Sequence, residues 1–157
     1  MSYLASIAPH QSMAHRLLEQ RAQESPDGTF FTLLDKPYSF VHCNRMANRL
    51  ARNLIAAGVR SGTHVAVIME TSADYMYLWF ALSKIGAVEV PINTGYRGDL
   101  LRHVLRTCQA TACIIDQRFV DVIEEVKSDF TRLDLYLVRG MSESPLPAGA
   151  RSRCAST

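Results

Sequence analysis

The chain has 157 residues, 48% of them apolar and 20% charged, with 8 Gly and 6 Pro. That is room for one ordinary domain with a sizeable core, and it excludes disordered, collagen-like and disulfide-scaffold readings of the whole chain. Lys and Arg total 17 against 15 Asp and Glu, a net charge of +2 that is too small for a nucleic-acid footprint, so no nucleic-acid partner is expected.

In chain order, residues 1–15 lack the basic start and continuous apolar stretch of a secretory signal, with Pro9, His10 and Gln11 in its place, and a cytoplasmic location is expected. Residues 12–24 place Met13, Leu17, Leu18 and Ala22 at helical spacing and predict an amphipathic helix stopped by Pro26, Asp27 and Gly28. Residues 29–34 favour a strand, Asp35, Lys36 and Pro37 a turn, and residues 38–40 a returning strand, which together predict a hairpin. Over 41–57, Cys43, Met46, Ala47, Leu50, Ala51, Leu54 and Ile55 form one stripe opposite Arg45, Asn48, Arg49 and Arg52, and Gly58 ends that helix.

A strand over 64–69 leads through Glu70, Thr71 and Ser72 into a helix at 73–85 that is apolar nearly all round and must be covered on most sides. Residues 75–92 are no membrane span, because Lys84, Glu89 and Pro91 interrupt them before about 20 apolar residues accumulate. The remainder alternates: strand 87–91, helix 98–106, strand 111–115, helix 119–127 and strand 133–138. This pattern predicts an α/β fold with a mostly parallel sheet covered by helices on both faces, preceded by an N-terminal helix and hairpin. Such sheets bind ligands beyond the carboxyl ends of their strands, which points to the loops 70–72, 93–97 and 116–118. Residues 140–157, with only Met141 and Leu146 as large aliphatic residues, read as a disordered tail after a domain at 1–139.

Candidate chemistry is sparse. Ser61-Gly62-Thr63 precedes a strand rather than a helix and reads as a plain turn, and neither a Gly-rich phosphate loop nor GxGxxG is present. His42-Cys43 and the set His103, Cys108 and Cys113 lack the paired spacing of a metal site, and no metal is expected. Cys43, Cys108, Cys113 and Cys154 form no CxxC pair, which favours reduced thiols, and a small enzyme using Cys108 or Cys113 stays open as a minor reading. Arg45, Arg49 and Arg52 read as a solvated face. Arg97, Arg102 and Arg106 read either as surface arginines with helix-spaced partners or, for Arg97, as a contact to an anionic ligand at the sheet edge.

Tyr38-Ser39-Phe40, the helix from Asn44 to Ala51, Gly58-Val59-Arg60-Ser61-Gly62, Val65-Ala66-Val67, Ala81-Leu82-Ser83-Lys84-Ile85-Gly86-Ala87-Val88, Val90-Pro91-Ile92-Asn93-Thr94, Arg97-Gly98-Asp99-Leu100-Leu101 and Ile114-Ile115-Asp116 follow one another in order. Together they resemble the N-terminal portion of the AMP-forming acyl-CoA synthetases of the adenylate-forming superfamily. Within that family, Pro91-Ile92-Asn93-Thr94 and Tyr96-Arg97-Gly98-Asp99-Leu100 are most similar to carnitine/crotonobetaine-CoA ligases and fatty-acid transport-type synthetases. The resemblance implies a partial N-terminal subdomain of the adenylate-forming fold and a parent reaction that joins a carboxylic acid to AMP, then to CoA, with ATP, Mg²⁺ and CoA as cofactors. One departure is His42, where relatives often carry the Glu of a capping box: Ser39 can cap the helix, but His42 cannot return a carboxylate bond, and initiation is expected to weaken slightly.

The family's Ser/Thr/Gly-rich ATP loop ending in Lys, its later motifs and its adenylation lysine would all lie beyond Thr157. No catalytic, cofactor-binding or metal residue is therefore carried over, and the expectation is a truncated piece that binds no cofactor alone and is inactive, with the change of character after Val138 suggesting an interrupted reading frame. The alternative is a free-standing binding domain on the same scaffold, associating with itself or with the rest of a synthetase through exposed apolar surface, with the helix 73–85 as the candidate.

Overall fold

In the computed structural model, residues 13–126 and 133–140 are described. They form α1 (Ala14–Glu24), β1 (Thr29–Leu33), β2 (Lys36–Ser39), α2 (Phe40–Ala57), β3 (His64–Ile68), α3 (Ala73–Ile85), β4 (Val88–Pro91), α4 (Gly98–Cys108), β5 (Ala112–Asp116), a 3₁₀ turn (Gln117–Phe119), α5 (Val120–Glu124) and β6 (Leu135–Arg139). The tail expected over 140–157 falls, after Gly140, outside the described residues, as do Ser12 and Lys127, the outer ends of two predicted helices. The described residues form two compact units: those up to Arg52 with Ser72–Ile85, and Asn53–Thr71 with those from Gly86 on.

The first unit contains α1, the hairpin, most of α2, and α3. Its core joins Leu18, Cys43, Ala47, Tyr77 and Phe80, packed against Phe30, Phe31, Tyr38 and Phe40. Glu19 and Lys84 pair, and His15 Nδ1 bonds Ser83 Oγ at 2.9 Å, so α1 is tied to α3 by polar as well as apolar contacts. The hairpin is tighter than the sequence suggests. Leu34 and Asp35 occupy a two-residue loop, both at positive φ (49° and 59°), and Lys36 and Pro37 already belong to β2. This is the backbone a right-twisted two-residue hairpin demands, met here without the usual Asn-Gly. Phe40 opens α2 instead of ending a strand, because Ser39 Oγ accepts the His42 N–H at 3.4 Å as an N-cap. His42, unable to complete a capping box, bonds through Nε2 with the Tyr77 hydroxyl at 3.1 Å.

The second unit is built on a parallel sheet of order β4-β3-β5-β6. Val65 pairs with Glu89 on one side and Ala112 on the other, and Ala112 with Leu135. Alternate residues Ala66, Ile68, Cys113, Ile115 and Tyr136 meet Leu101 and Leu105 of α4 and Ile123 of α5 in one core. Val65, Val67, Ile114 and Leu137 point to the other face and are buried as well. Burial on both faces is why these strands read as continuous apolar runs. Full burial of one such Leu or Ile contributes about 1.5–3 kcal/mol.

The helix ends follow backbone chemistry. Val59 N–H bonds Leu54 O and Gly58 N–H bonds Ile55 O, with Gly58 at φ 113°, a Schellman stop to α2 at the expected glycine. Gly86, at φ 77°, ends α3 where a Cβ would lie 2.9 Å from Ser61 Oγ. Ile55, expected on the apolar stripe of α2, is instead 45% exposed, because the stripe at Ala47, Ala51 and Leu54 drifts past it before the helix stops. Among the described residues no helix is long and apolar enough to cross a membrane.

Candidate functional site

Strand order 4-3-5-6 makes the chain leave β3 toward one edge and β5 toward the other, so the switch point lies at the carboxyl ends of β3 and β5. Two of the three loops singled out from sequence, those after Met69 and after Ile115, meet there. Asp116, the last residue of β5 rather than a loop residue, is 4% exposed. Its Oδ2 accepts the Glu70 backbone N–H at 3.0 Å, and its Oδ1 accepts the Arg139 guanidinium at 2.7 Å. The parallel ladder sets that second contact by pairing Asp116 with Arg139 directly across β5 and β6. Glu70 in turn accepts Arg118 at 2.8 Å.

The two ion pairs differ in weight. Glu70 and Arg118 side chains are 52% and 63% exposed, a water-screened pair worth about 0–1 kcal/mol. The Asp116 side chain is 6% exposed, and a buried carboxylate that loses its cation costs about 3–5 kcal/mol. Asp116 thereby ties three strand ends together: β3 through the Glu70 amide, β5 through its own backbone, and β6 through Arg139.

The third loop stands apart from this cluster. Asn93 Oδ1 accepts the Gly95 N–H at 2.8 Å and Asn93 O accepts the Tyr96 N–H at 3.0 Å, closing an Asx turn before α4. Arg97 folds back on that loop, donating to Thr94 O and Tyr96 O, each at 2.7 Å. Arg102 pairs with Asp99 at 2.7 Å, one turn away on α4. Of the two readings left open for these arginines, the local structural one describes the contacts of Arg97 and Arg102.

Ser61-Gly62-Thr63 is a turn before β3: Gly62 N–H bonds Gly86 O at 2.8 Å, and Thr63 N–H bonds Arg60 O at 3.0 Å. Cys113 is fully buried in β5, and desolvation pushes its thiol up to about 12, while burial raises Cys43 to about 11. Neither is a nucleophile near neutral pH. Cys108 gives its S–H to Leu105 O at 3.3 Å, and His103 offers a backbone carbonyl to the Thr107 hydroxyl. Among the described residues no three His, Cys, Asp or Glu side chains converge to hold a metal ion. The helix expected to present an apolar face, α3, instead buries Tyr77, Leu78, Phe80, Ala81 and Leu82, and only Trp79 among its large apolar residues is substantially exposed.

Comparison with known proteins places this geometry. The AMP-binding enzyme family profile matches residues 18–152. Phosphinothricin tripeptide synthetase PhsC of Streptomyces viridochromogenes is 36% identical over 102 residues, which are 65% of this chain and 9% of that protein. Long-chain fatty acid transport protein 6 of Mus musculus is 29% identical over 66% of this chain and 17% of its own length. Crotonobetaine/carnitine–CoA ligase of Salmonella typhimurium is 29% identical over 60% of this chain and 18% of its own. The chain thus spans a small part, 9% to 18%, of these relatives. Among solved structures, the anthranilate CoA ligase AuaEII in complex with anthranoyl-AMP superposes on 97% of this chain and 28% of that one, with TM-score 0.77 and 29% identity. The N-terminal subdomain of Klebsiella oxytoca NpsA shares the fold, with TM-score 0.62 over 66% of this chain and 27% of that one at 24% identity.

Proposed function

The chain belongs to the AMP-binding enzyme family, and from that premise we propose that it is the N-terminal scaffold piece of an ATP-dependent acid–CoA ligase, inactive by itself. The parent reaction in this reading converts a carboxylic acid, ATP and CoA to acyl-CoA, AMP and pyrophosphate. The similarity to CoA ligases, along nearly the whole chain for AuaEII and over 60% of it for the carnitine-CoA ligase, supports that reaction class.

The described residues do not fit the triphosphate of ATP. At the switch point, where an open parallel sheet receives ligands, Arg118 and Arg139 face Glu70 and Asp116, so an anion entering there would compete with two carboxylates. At the neighbouring loop, the Arg97 guanidinium and the Gly95 and Tyr96 amides are engaged within the loop itself. The observation that carries the reading is this neutralised switch point: the carboxyl ends of β3, β5 and β6 are joined to each other. No step of the parent reaction is assigned to a residue of this chain, and ATP, Mg²⁺ and CoA would be held by the rest of the ligase.

The same reading has residues 1–139 as a partial domain in the cytoplasm that associates with the remainder of the ligase. Self-association through an exposed apolar helix is the weaker option, because α3 buries most of its apolar side chains. ATP–pyrophosphate exchange by the purified chain, with fatty acids and carnitine-like acids as substrates, tests the proposal. Background exchange is expected, and exchange above background would overturn the claim of inactivity.

A further inference from the structure

Arg45, Arg49 and Arg52 lie at i, i+4 and i+7 on α2, which places three guanidinium groups along one side of the helix over about 10 Å. All three are exposed, and none makes an ion pair, hydrogen bond or ring contact among the described residues. Six other arginines are engaged, Arg21, Arg102, Arg118 and Arg139 with carboxylates and Arg60 and Arg97 with carbonyls, while the Arg16 side chain on α1 is likewise without such a contact among the described residues. The 18 residues of α2 include no Asp or Glu, so the helix offers these cations no partner of its own. Like charges at i, i+4 repel, a cost this helix bears with no return inside the described chain.

We propose that this stripe is a docking site for an acidic helix on a partner protein, independently of the scaffold reading above. A guanidinium presents parallel N–H donors that match a carboxylate, and three of them over two turns match Glu or Asp repeated at i, i+4 and i+7 on a second helix. Val41, one turn before Arg45 and 42% exposed, supplies an apolar contact at the end of the stripe. A bilayer fits this surface less well. A helix adsorbed on lipid sinks its apolar face into the headgroups, and the apolar side of α2 is committed to the chain's own core, with Cys43 and Ala47 at 1% and 0% exposure.

The test titrates the full ¹⁵N-labelled chain with a helical peptide of Ala and Gln carrying Glu at i, i+4, i+7 and i+11, followed by amide chemical shifts. The expected result is a set of shift changes along the exposed side of α2, with affinity reduced at least about fivefold in Arg45→Gln/Arg49→Gln/Arg52→Gln and reduced again when salt rises from about 50 to about 300 mM. The variant's fold is checked by far-UV circular dichroism, and single Arg49→Gln, expected to bind more weakly than the parent, serves if the triple variant does not fold. Absence of shift changes, or equal affinity in parent and variant, would overturn the proposal. Binding to phosphatidylserine vesicles that the triple substitution abolishes, with the peptide inert, would overturn it in favour of a lipid surface.

Discussion

Replacing Arg139 by Ala removes the cation beside a carboxylate whose side chain is 6% exposed and leaves Asp116 with the Glu70 amide alone. The destabilisation should fall near the lower end of the range for broken buried pairs, about 3 kcal/mol, because that amide bond survives. Asp116→Asn should cost less, about 1–2 kcal/mol, since its amide oxygen can still accept the Glu70 N–H and Arg139, at 37% exposed, keeps part of its hydration. The double variant Asp116→Asn/Arg139→Ala buries no charge and should cost less than the sum of the two single variants, by a coupling of about 1.5 kcal/mol or more. Arg118→Ala, which breaks only the exposed pair with Glu70, should cost about 0–1 kcal/mol. Urea unfolding followed by far-UV circular dichroism gives the four values, and amide exchange of β6 reports whether the loss is local to that strand. A cost for Arg139→Ala below about 1 kcal/mol, or one equal to that of Arg118→Ala, would refute the reasoning.

Three further outcomes are expected. Leu34→Asn, at the 93% exposed first loop position of the hairpin, relieves a side chain that tolerates positive φ poorly and should stabilise by about 1 kcal/mol; no gain in urea midpoint would contradict the left-handed turn. The buried Tyr136 hydroxyl has no partner among the described residues, so Tyr136→Phe should be neutral or stabilising by up to about 1 kcal/mol, and a clear loss would show that the hydroxyl is bonded. Burial raises Cys43 to about 11 and Cys113 to about 12, so these protons are held more tightly folded than unfolded. Stability is therefore independent of these thiols below about 9 and falls as pH climbs from about 9 through about 11 for Cys43 and about 12 for Cys113. Accordingly, native Cys43 and Cys113 should resist iodoacetamide at pH 8 and react once the chain is unfolded in urea.

The alternation of helices and parallel strands was legible because both sheet faces are buried, so Val65 to Ile68 and Ala112 to Ile115 appear as unbroken apolar runs. Glycine punctuation was equally readable, since Gly58 and Gly86 sit where positive φ is required. The sequence points to a turn at 35–37 rather than 34–35 because neither Leu34 nor Asp35 is a Gly or Asn, and Pro37 has the character of a turn residue although it lies on β2, whose one strand neighbour among the described residues is β1. That the loops after β3 and β5 meet at the switch point follows from topology alone. That Asp116 is their anchor does not, because its link to Arg139 depends on the register of β5 and β6, which a separation of 23 residues hides. In the same way, local pattern shows His42 only as a missing cap partner; its bond to Tyr77, 35 residues away, is a tertiary contact that local pattern does not encode.

The most direct test of the scaffold account is to sequence the source DNA past the codon for Thr157 and translate it in all three forward frames. The account predicts a Ser/Thr/Gly-rich loop ending in Lys in one of those frames, the ATP-binding element of the proposed parent ligase. A downstream sequence with no such loop in any frame would contradict it.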